Sequence, residues 1–255
     1  MRKIKVMTFN MRTQTEVDGV NQFRQRKDRI LAMLNEQDPD LVGFQEVTDE
    51  MRAWLRSSLG AKYTFIGSGR MVDYTGEAVA IALRNDRFEL ISLESFWLSD
   101  TPDIPGSCYA NAAQSRWPRM TLSALVKCVD IEKPFYVINT HLDHLGKRAR
   151  HLGMEQNAKY ISALDGHYVY TGDMNAEPNA GEIKVFDQIL GNQNGRDVTS
   201  ALGGTFHNFG RQEVKPKIDY IFTDVACSDT YIVNDEGVDG LYYSDHHAVC
   251  AELEF

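Results

Sequence analysis

In the run His167-Tyr168-Val169-Tyr170-Thr171-Gly172-Asp173-Met174-Asn175-Ala176-Glu177-Pro178, an apolar strand ends in two polar side chains. Residues 168–171 are β-branched and aromatic, the signature of a short buried strand. Gly172 then frees the backbone for a sharp turn. Asp173 and Asn175 stand two apart, so in extended backbone both side chains face the same side. One offers a charged oxygen, the other a neutral oxygen and an amide donor. Such a pair at a strand end suits a hard divalent cation, or a water being readied for attack. The same residues also spell an Asx turn closing the strand, and taken alone this stretch favours the turn.

Working outward, the layout recurs. An apolar strand over residues 3–9 ends at Asn10, and one over 41–44 ends at Gln45-Glu46. Glu77 precedes a strand over 78–83. The strand at 135–140 runs into His141, with Asp143 and His144 beyond it, and alternation sets His141 beside Asp143 if the chain stays extended. Each polar residue alone reads first as a cap, a turn, an exposed loop or a structural group. Together they mark strand ends where titratable groups collect. Asp219 sits inside an otherwise apolar strand and needs a partner, because an unpaired buried acid is costly. Ser244-Asp245-His246-His247 opens the last strand, offering a carboxylate for a cation and an imidazole for Asp219 to orient. Residues 78–83 and 88–97 read as strands paired around a turn at 84–86, and 120–129 and 135–140 as a second pair around 132–134. Amphipathic helices are expected over 24–35, 49–59 (capped by Thr48), 147–164 and 182–190. No linker or repeat divides the chain, so residues 1–255 read as one strand-rich α/β domain.

The chain has 255 residues, 43% hydrophobic and 25% charged, enough for one sizeable core. A net charge of −9 argues against a broad basic surface for duplex binding, though not against a local basic groove. Arg24 to Arg29 reads as a solvated helix face. No apolar run reaches the length of a membrane span, and the first residues carry no targeting pattern. The four scattered cysteines fit a reduced, cytoplasmic protein. Nothing in the sequence points to a protein partner.

Taken in order, Thr8-Phe9-Asn10, Gln45-Glu46-Val47, Asn139-Thr140-His141, Gly172-Asp173-Met174-Asn175, Ile218-Asp219-Tyr220-Ile221-Phe222 and Ser244-Asp245-His246 resemble the endonuclease/exonuclease/phosphatase superfamily, a deoxyribonuclease-like fold. The resemblance covers nearly the whole chain. It implies a four-layered α/β sandwich, two mixed β-sheets packed face to face with helices outside. It also implies phosphoester hydrolysis with a divalent metal, usually Mg²⁺, with Mn²⁺ as a substitute. By the same resemblance Glu46 is the main metal ligand, with Asn10 and Asp245 close by. Asp173 orients or deprotonates the attacking water, and Asn175 helps hold the phosphate or a second metal. His246, oriented by Asp219, is a general base or phosphate ligand, and His141 contacts the phosphate. Glu77 matches a secondary acid, and Arg119 a phosphate-binding arginine.

The residues agree with that chemistry. No serine or cysteine stands in a nucleophile motif, so direct attack by water is expected. Specificity belongs to the loops. His144 and Arg150 mark a subgroup feature, and Phe206, His207 and Phe209 are candidates to wall the site. The long loop 98–118 and the acidic net charge favour a compact phosphoester as substrate. The alternatives are an endonuclease or exonuclease on DNA or RNA, and a binding module that kept the fold without activity.

Overall fold

The computed structural model describes residues 2–255. Among the described residues, twelve strands and four α-helices follow one another, with short 3-10 turns between them. One sheet holds β1 (Lys3–Asn10), β2 (Leu41–Val47), β3 (Tyr63–Ile66), β4 (Ala78–Arg84), β11 (Ala226–Val233) and β12 (Ala248–Glu254), in the order β11-β12-β1-β2-β4-β3. The other holds β5 (Phe88–Trp97), β6 (Met120–Cys128), β7 (Phe135–His141), β8 (Tyr168–Asp173), β9 (Arg196–Asp197) and β10 (Asp219–Thr223), in the order β5-β6-β7-β8-β10-β9. Both are mixed: β1 runs parallel to β2 and β7 parallel to β8, while the remaining pairs are antiparallel. The helices are α1 (Phe23–Gln37), α2 (Asp49–Leu59), α3 (Lys147–Ser162) and α4 (Gly181–Leu190).

Side-chain alternation builds the layers. Ile4 and Val6 of β1 join Val137 of β7, Val169 of β8 and Ile221 of β10 in a core between the sheets. Met7 and Phe9 instead join Phe23, Ile30 and Leu34 of α1 and Met51 and Leu55 of α2. Ile138, Tyr170 and Phe222 join Met154 and Ile161 of α3 and Phe186 of α4. Three apolar clusters thus separate four layers, the expected α/β sandwich with helices outside. The helix boundaries follow local chemistry: Thr48 accepts a hydrogen bond from the Met51 amide at the start of α2.

The inner faces are not apolar throughout. Along each inward-facing row the residues turn polar toward one end: Thr8 and Asn10 on β1, Gln45 on β2, Asn139 and His141 on β7, Thr171 and Asp173 on β8, and Asp219 on β10, all buried. Pairing aligns these ends, with Asn10 opposite Gln45, and Asp173 opposite both His141 and Asp219. Asn139 ties the sheets together: its amide donates to the Phe44 carbonyl (2.8 Å) and the Ala80 carbonyl (2.9 Å) across the interface, and its oxygen accepts from Gln45 Nε2 (2.8 Å).

Four sequence expectations change. Strands β4 and β5 are not a hairpin: β4 pairs with β2 and β3, β5 with β6, so the turn between them carries the chain from one sheet to the other. Gly172 makes no turn. It lies within β8, where an added Cβ would stand 2.5 Å from the Thr140 carbonyl oxygen, so close approach of β7 requires it. The basic segment 24–29 is not uniformly solvated, because Arg26 is fully buried and donates to the carbonyls of Asn21, Met11, Arg12 and Tyr243. Asp143 does not stand beside His141; it accepts from Ser115, Leu145 and Gly146 and anchors the end of the long loop. The four cysteines are unpaired, and no helix among the described residues is long and apolar enough to cross a membrane.

Candidate active site

The polar strand ends open into a cavity of about 750 Å³. Glu46, Asp173, Asp245, His141, His246 and Asn175 line it. Two of these depend on left-handed backbone. Strict alternation would turn Glu46 toward the helices, but the register of β2 slips between Phe44 and Val47, and Glu46 adopts a φ of 61°. This irregularity aims its carboxylate into the cleft. Asn175 follows β8 with a φ of 47°, and its amide N–H donates to Asp173 Oδ1 (2.8 Å). The Asx turn and the polar site are therefore the same structure, one oxygen of Asp173 closing the turn while the other faces the cleft.

Asp173 Oδ2 accepts from Asn10 Nδ2 (3.0 Å) and lies 3.4 Å from His141 Nε2 and 3.8 Å from His246 Nε2. Asn10 Nδ2 also lies 3.2 Å from Glu46 Oε1, and Glu46 Oε2 accepts from the Thr13 amide at 2.9 Å. Asn10 thus bridges two carboxylates through its nitrogen, while its oxygen accepts from the Arg12 amide (2.9 Å). In this arrangement it presents a donor to the acids. Behind the cleft, Asp219 Oδ2 accepts from Thr205 Oγ1 (2.6 Å) and pairs with His246 Nδ1 (2.9 Å). Asn175 Nδ2 donates to the Leu142 carbonyl (3.1 Å) and lies 3.0 Å from His141 Nε2.

Burial and crowding set the charges. Burial, then the neighbouring Asp219, pushes the Asp173 carboxyl up to about 7. Burial also raises Asp245, with Glu46 adding repulsion against the pull of His246. For Glu46, burial is outweighed by Arg12, the Thr13 amide and His246, which hold it low. Burial, Arg119 and Arg70 drive His141 well below its ordinary value, so it is neutral. Burial opposes charge on His246, but Asp219 and Asp173 overcome it and the imidazolium is favoured.

Glu46, Asp173 and Asp245 are hard oxygen donors crowded together at an electrostatic cost, a donor set suited to a divalent cation. Asp173, Asp219 and His246 also lie close enough to share an ion. Asp219 Oδ2 and His246 Nδ1 already satisfy each other, however, and a cation there would have to displace that pair. Glu46 and Asp245, on the cavity wall, have oxygens free of such a pair and could hold a cation without that loss.

A model of the Endonuclease/Exonuclease/phosphatase family matches residues 7–246. The chain belongs to this family. The endonuclease/exonuclease/phosphatase of Bacteroides vulgatus is 30% identical, with a TM-score of 0.88 and 100% of both chains covered. A mannosyl-6-phosphatase of Bacteroides thetaiotaomicron is 28% identical, with a TM-score of 0.84 over 99% of this chain and 100% of that one. D. rerio TDP2 complexed with single-strand DNA product, 18% identical, shares the fold at a TM-score of 0.78 over 99% of each chain.

The remaining candidates of this family member separate. Glu77, Arg119, His144, Arg150 and Phe206 line the cavity. Glu77 pairs with Arg70 (2.8 Å), and burial, then Glu46, raises its carboxyl. Arg119 is buried, its Nη2 3.0 Å from His144 Nδ1, and its Nε and Nη1 have no hydrogen-bond partner among the described residues. The Phe206 ring packs 4.9 Å from that of His246. His207 does not line the cleft: it is buried behind it, stacked on His247 at 4.2 Å, with Nδ1 accepting from the Gly210 amide. Phe209 is likewise buried away from the cavity, beneath Arg26. Sequence reading missed Arg70, Thr205 and Glu182. Arg70 sits in a loop with no periodicity, Thr205 acts through Asp219, and Glu182 looks like an ordinary first-turn acid.

Proposed function

We propose that this protein is a divalent-metal-dependent phosphoesterase that hydrolyses a compact phosphoester by direct attack of water. The charge pattern of the cavity carries the reading. Its acids, Glu46, Glu77, Asp173, Glu177, Glu182 and Asp245, share one hollow with Arg12, Arg70, Arg119, Lys147 and Arg150. Carboxylates able to hold a cation beside guanidinium and ammonium groups able to face an anion suit a phosphoester bound together with a divalent metal. The volume falls in the roughly 300–1,000 Å³ range of small-molecule sites. The family relationship and the 28% identical mannosyl-6-phosphatase support the same substrate class.

In this reading Glu46 and Asp245 would hold the cation, which when bound neutralises charge gathering on the phosphoryl oxygens. Asp173, poised near neutrality, takes the proton of the attacking water. His246, kept protonated by Asp219, stabilises negative charge on the phosphoryl group. Asn175 and His141 hold phosphate oxygens, and Asn10 keeps Glu46 and Asp173 in register. The test is turnover of a panel of phosphomonoesters, phosphodiesters and oligonucleotides with Mg²⁺ or Mn²⁺, across a salt series. Turnover of small phosphomonoesters that stops in excess chelator and needs about tenfold or more added metal in Glu46→Gln is expected. Activity confined to DNA or RNA, weakening steeply with salt, would make it a nuclease.

A further inference from the structure

Glu182 lies in the first turn of α4 and lines the cavity while being only 2% exposed. One oxygen, Oε1, is 3.3 Å from Arg150 Nε on α3. The other, Oε2, is buried with no hydrogen-bond partner among the described residues. Arg150 is fixed in turn, its Nη1 donating to the Asp143 carbonyl at 3.1 Å. A buried carboxylate oxygen without a donor is costly, and native folds retain few such groups without a use for them.

The neighbours limit what that use is. Arg150, with Lys147 on the same cavity wall, disfavours an ammonium or a second cation there. The Glu182 carboxylate in turn disfavours a second phosphate. A neutral group that both donates and accepts satisfies the pair: one hydroxyl gives its hydrogen to the Glu182 carboxylate, whose Oε2 must turn from its buried position to meet it, while its neighbour accepts from the Arg150 guanidinium. Adjacent hydroxyls on one carbon skeleton are the mark of sugars and polyols. The site is also built on two packed helices, which hold it more rigidly than loops would. The loop leaving Asn175 passes Glu177 and Ala180 along the same cavity before reaching Glu182, so the catalytic end and this pair share one space.

We propose that Arg150 and Glu182 form a subsite that reads vicinal hydroxyls, and that the leaving group is a sugar or polyol. This rests on the reading of the cavity as a phosphoesterase site. The experiment compares kcat/KM for glucose 6-phosphate and mannose 6-phosphate with that for ethyl phosphate, whose leaving alkoxide is similar but carries no hydroxyl. Wild type and Glu182→Gln are measured side by side, with thermal unfolding to establish that the variant is folded. Glu182→Ala provides a second variant should the glutamine fold poorly. The wild type is expected to prefer at least one hexose phosphate. Glu182→Gln should reduce that preference at least about tenfold, mainly through KM, because a hydrogen bond to a charged acceptor is lost. Free hexose should inhibit ethyl phosphate hydrolysis by the wild type more strongly than by the variant. A wild type that turns over ethyl phosphate without preferring either hexose phosphate, or a variant with unaltered preference, overturns the subsite alone. A wild type inactive on all three phosphates overturns the small-phosphoester reading and the subsite with it.

Discussion

Asp219 shows how one side chain reaches a site it does not line. It is fully buried, and its contact with the cleft runs through His246 Nδ1 at 2.9 Å, while Thr205 fixes the same oxygen at 2.6 Å. An imidazole held this way has one orientation and one charge state, which is what stabilisation of a phosphoryl group requires. Acid and imidazole thus work as a unit. Asp219→Asn and His246→Ala are each expected to lower kcat by roughly 10²–10³-fold, and the double variant by little more than the worse single change. Steady-state kinetics on all three proteins checks this. Losses that multiply in the double variant would show two independent groups.

At the level of elements, the segment from Thr205 to Phe209 puts neighbouring residues to different uses. Phe206 bridges to His246 beside the cavity, while His207 turns inward onto His247. Burial, followed by the other histidines nearby, lowers His207 from 6.5 to about 3; burial, then Lys215, lowers His247 to about 4. Both are neutral in the folded protein. Below pH 6.5 the unfolded chain binds protons that the folded chain refuses, so stability falls as the pH drops from 6.5 toward 4. His207→Phe, which keeps an aromatic ring at that stack, should remove part of this acid sensitivity. The fall in Tm between pH 7 and pH 5 should then be smaller in the variant than in the wild type. An unchanged difference would mean that the pair does not carry the acid response.

Across the whole molecule, the two sheets are joined by more than apolar packing. Asn139 satisfies two carbonyls of the facing sheet and accepts from Gln45, at the level where the inner face turns from apolar to polar. Gly43 permits the approach, because a Cβ there would stand 2.1 Å from Thr171 Oγ1. Asn139→Leu keeps the approximate volume but leaves the Phe44 and Ala80 carbonyls and the Gln45 amide without that partner. Loss of about 2–4 kcal/mol is expected, measured by urea denaturation. A change below about 0.5 kcal/mol would show that the contact between sheets is apolar in its energetics.

The sequence by itself determined the class of the fold and which polar residues meet in the candidate site at the strand ends, because period-two alternation is a local property. The rows ending in Asn10, Asn139-Thr140-His141, Asp173 and Asp219 turn polar at one end whatever their partners are, and a site at that end follows. Resemblance supplied the four layers, and the family match supports them. Tertiary structure decided what local pattern leaves open. A turn at residues 84–86 suits a hairpin or a crossing between sheets equally well, and only the competing partners β2 and β6 choose the crossing. The aim of Glu46 depends on a bulge that alternation does not show. The burial of Arg26 depends on four carbonyls, including Tyr243 far along the chain, and the pairing of Arg150 with Glu182 on two helices meeting. Hydrogen-bond satisfaction across distant segments, unlike hydrophobic period, has no local signature, because each partner takes its meaning from the other's position.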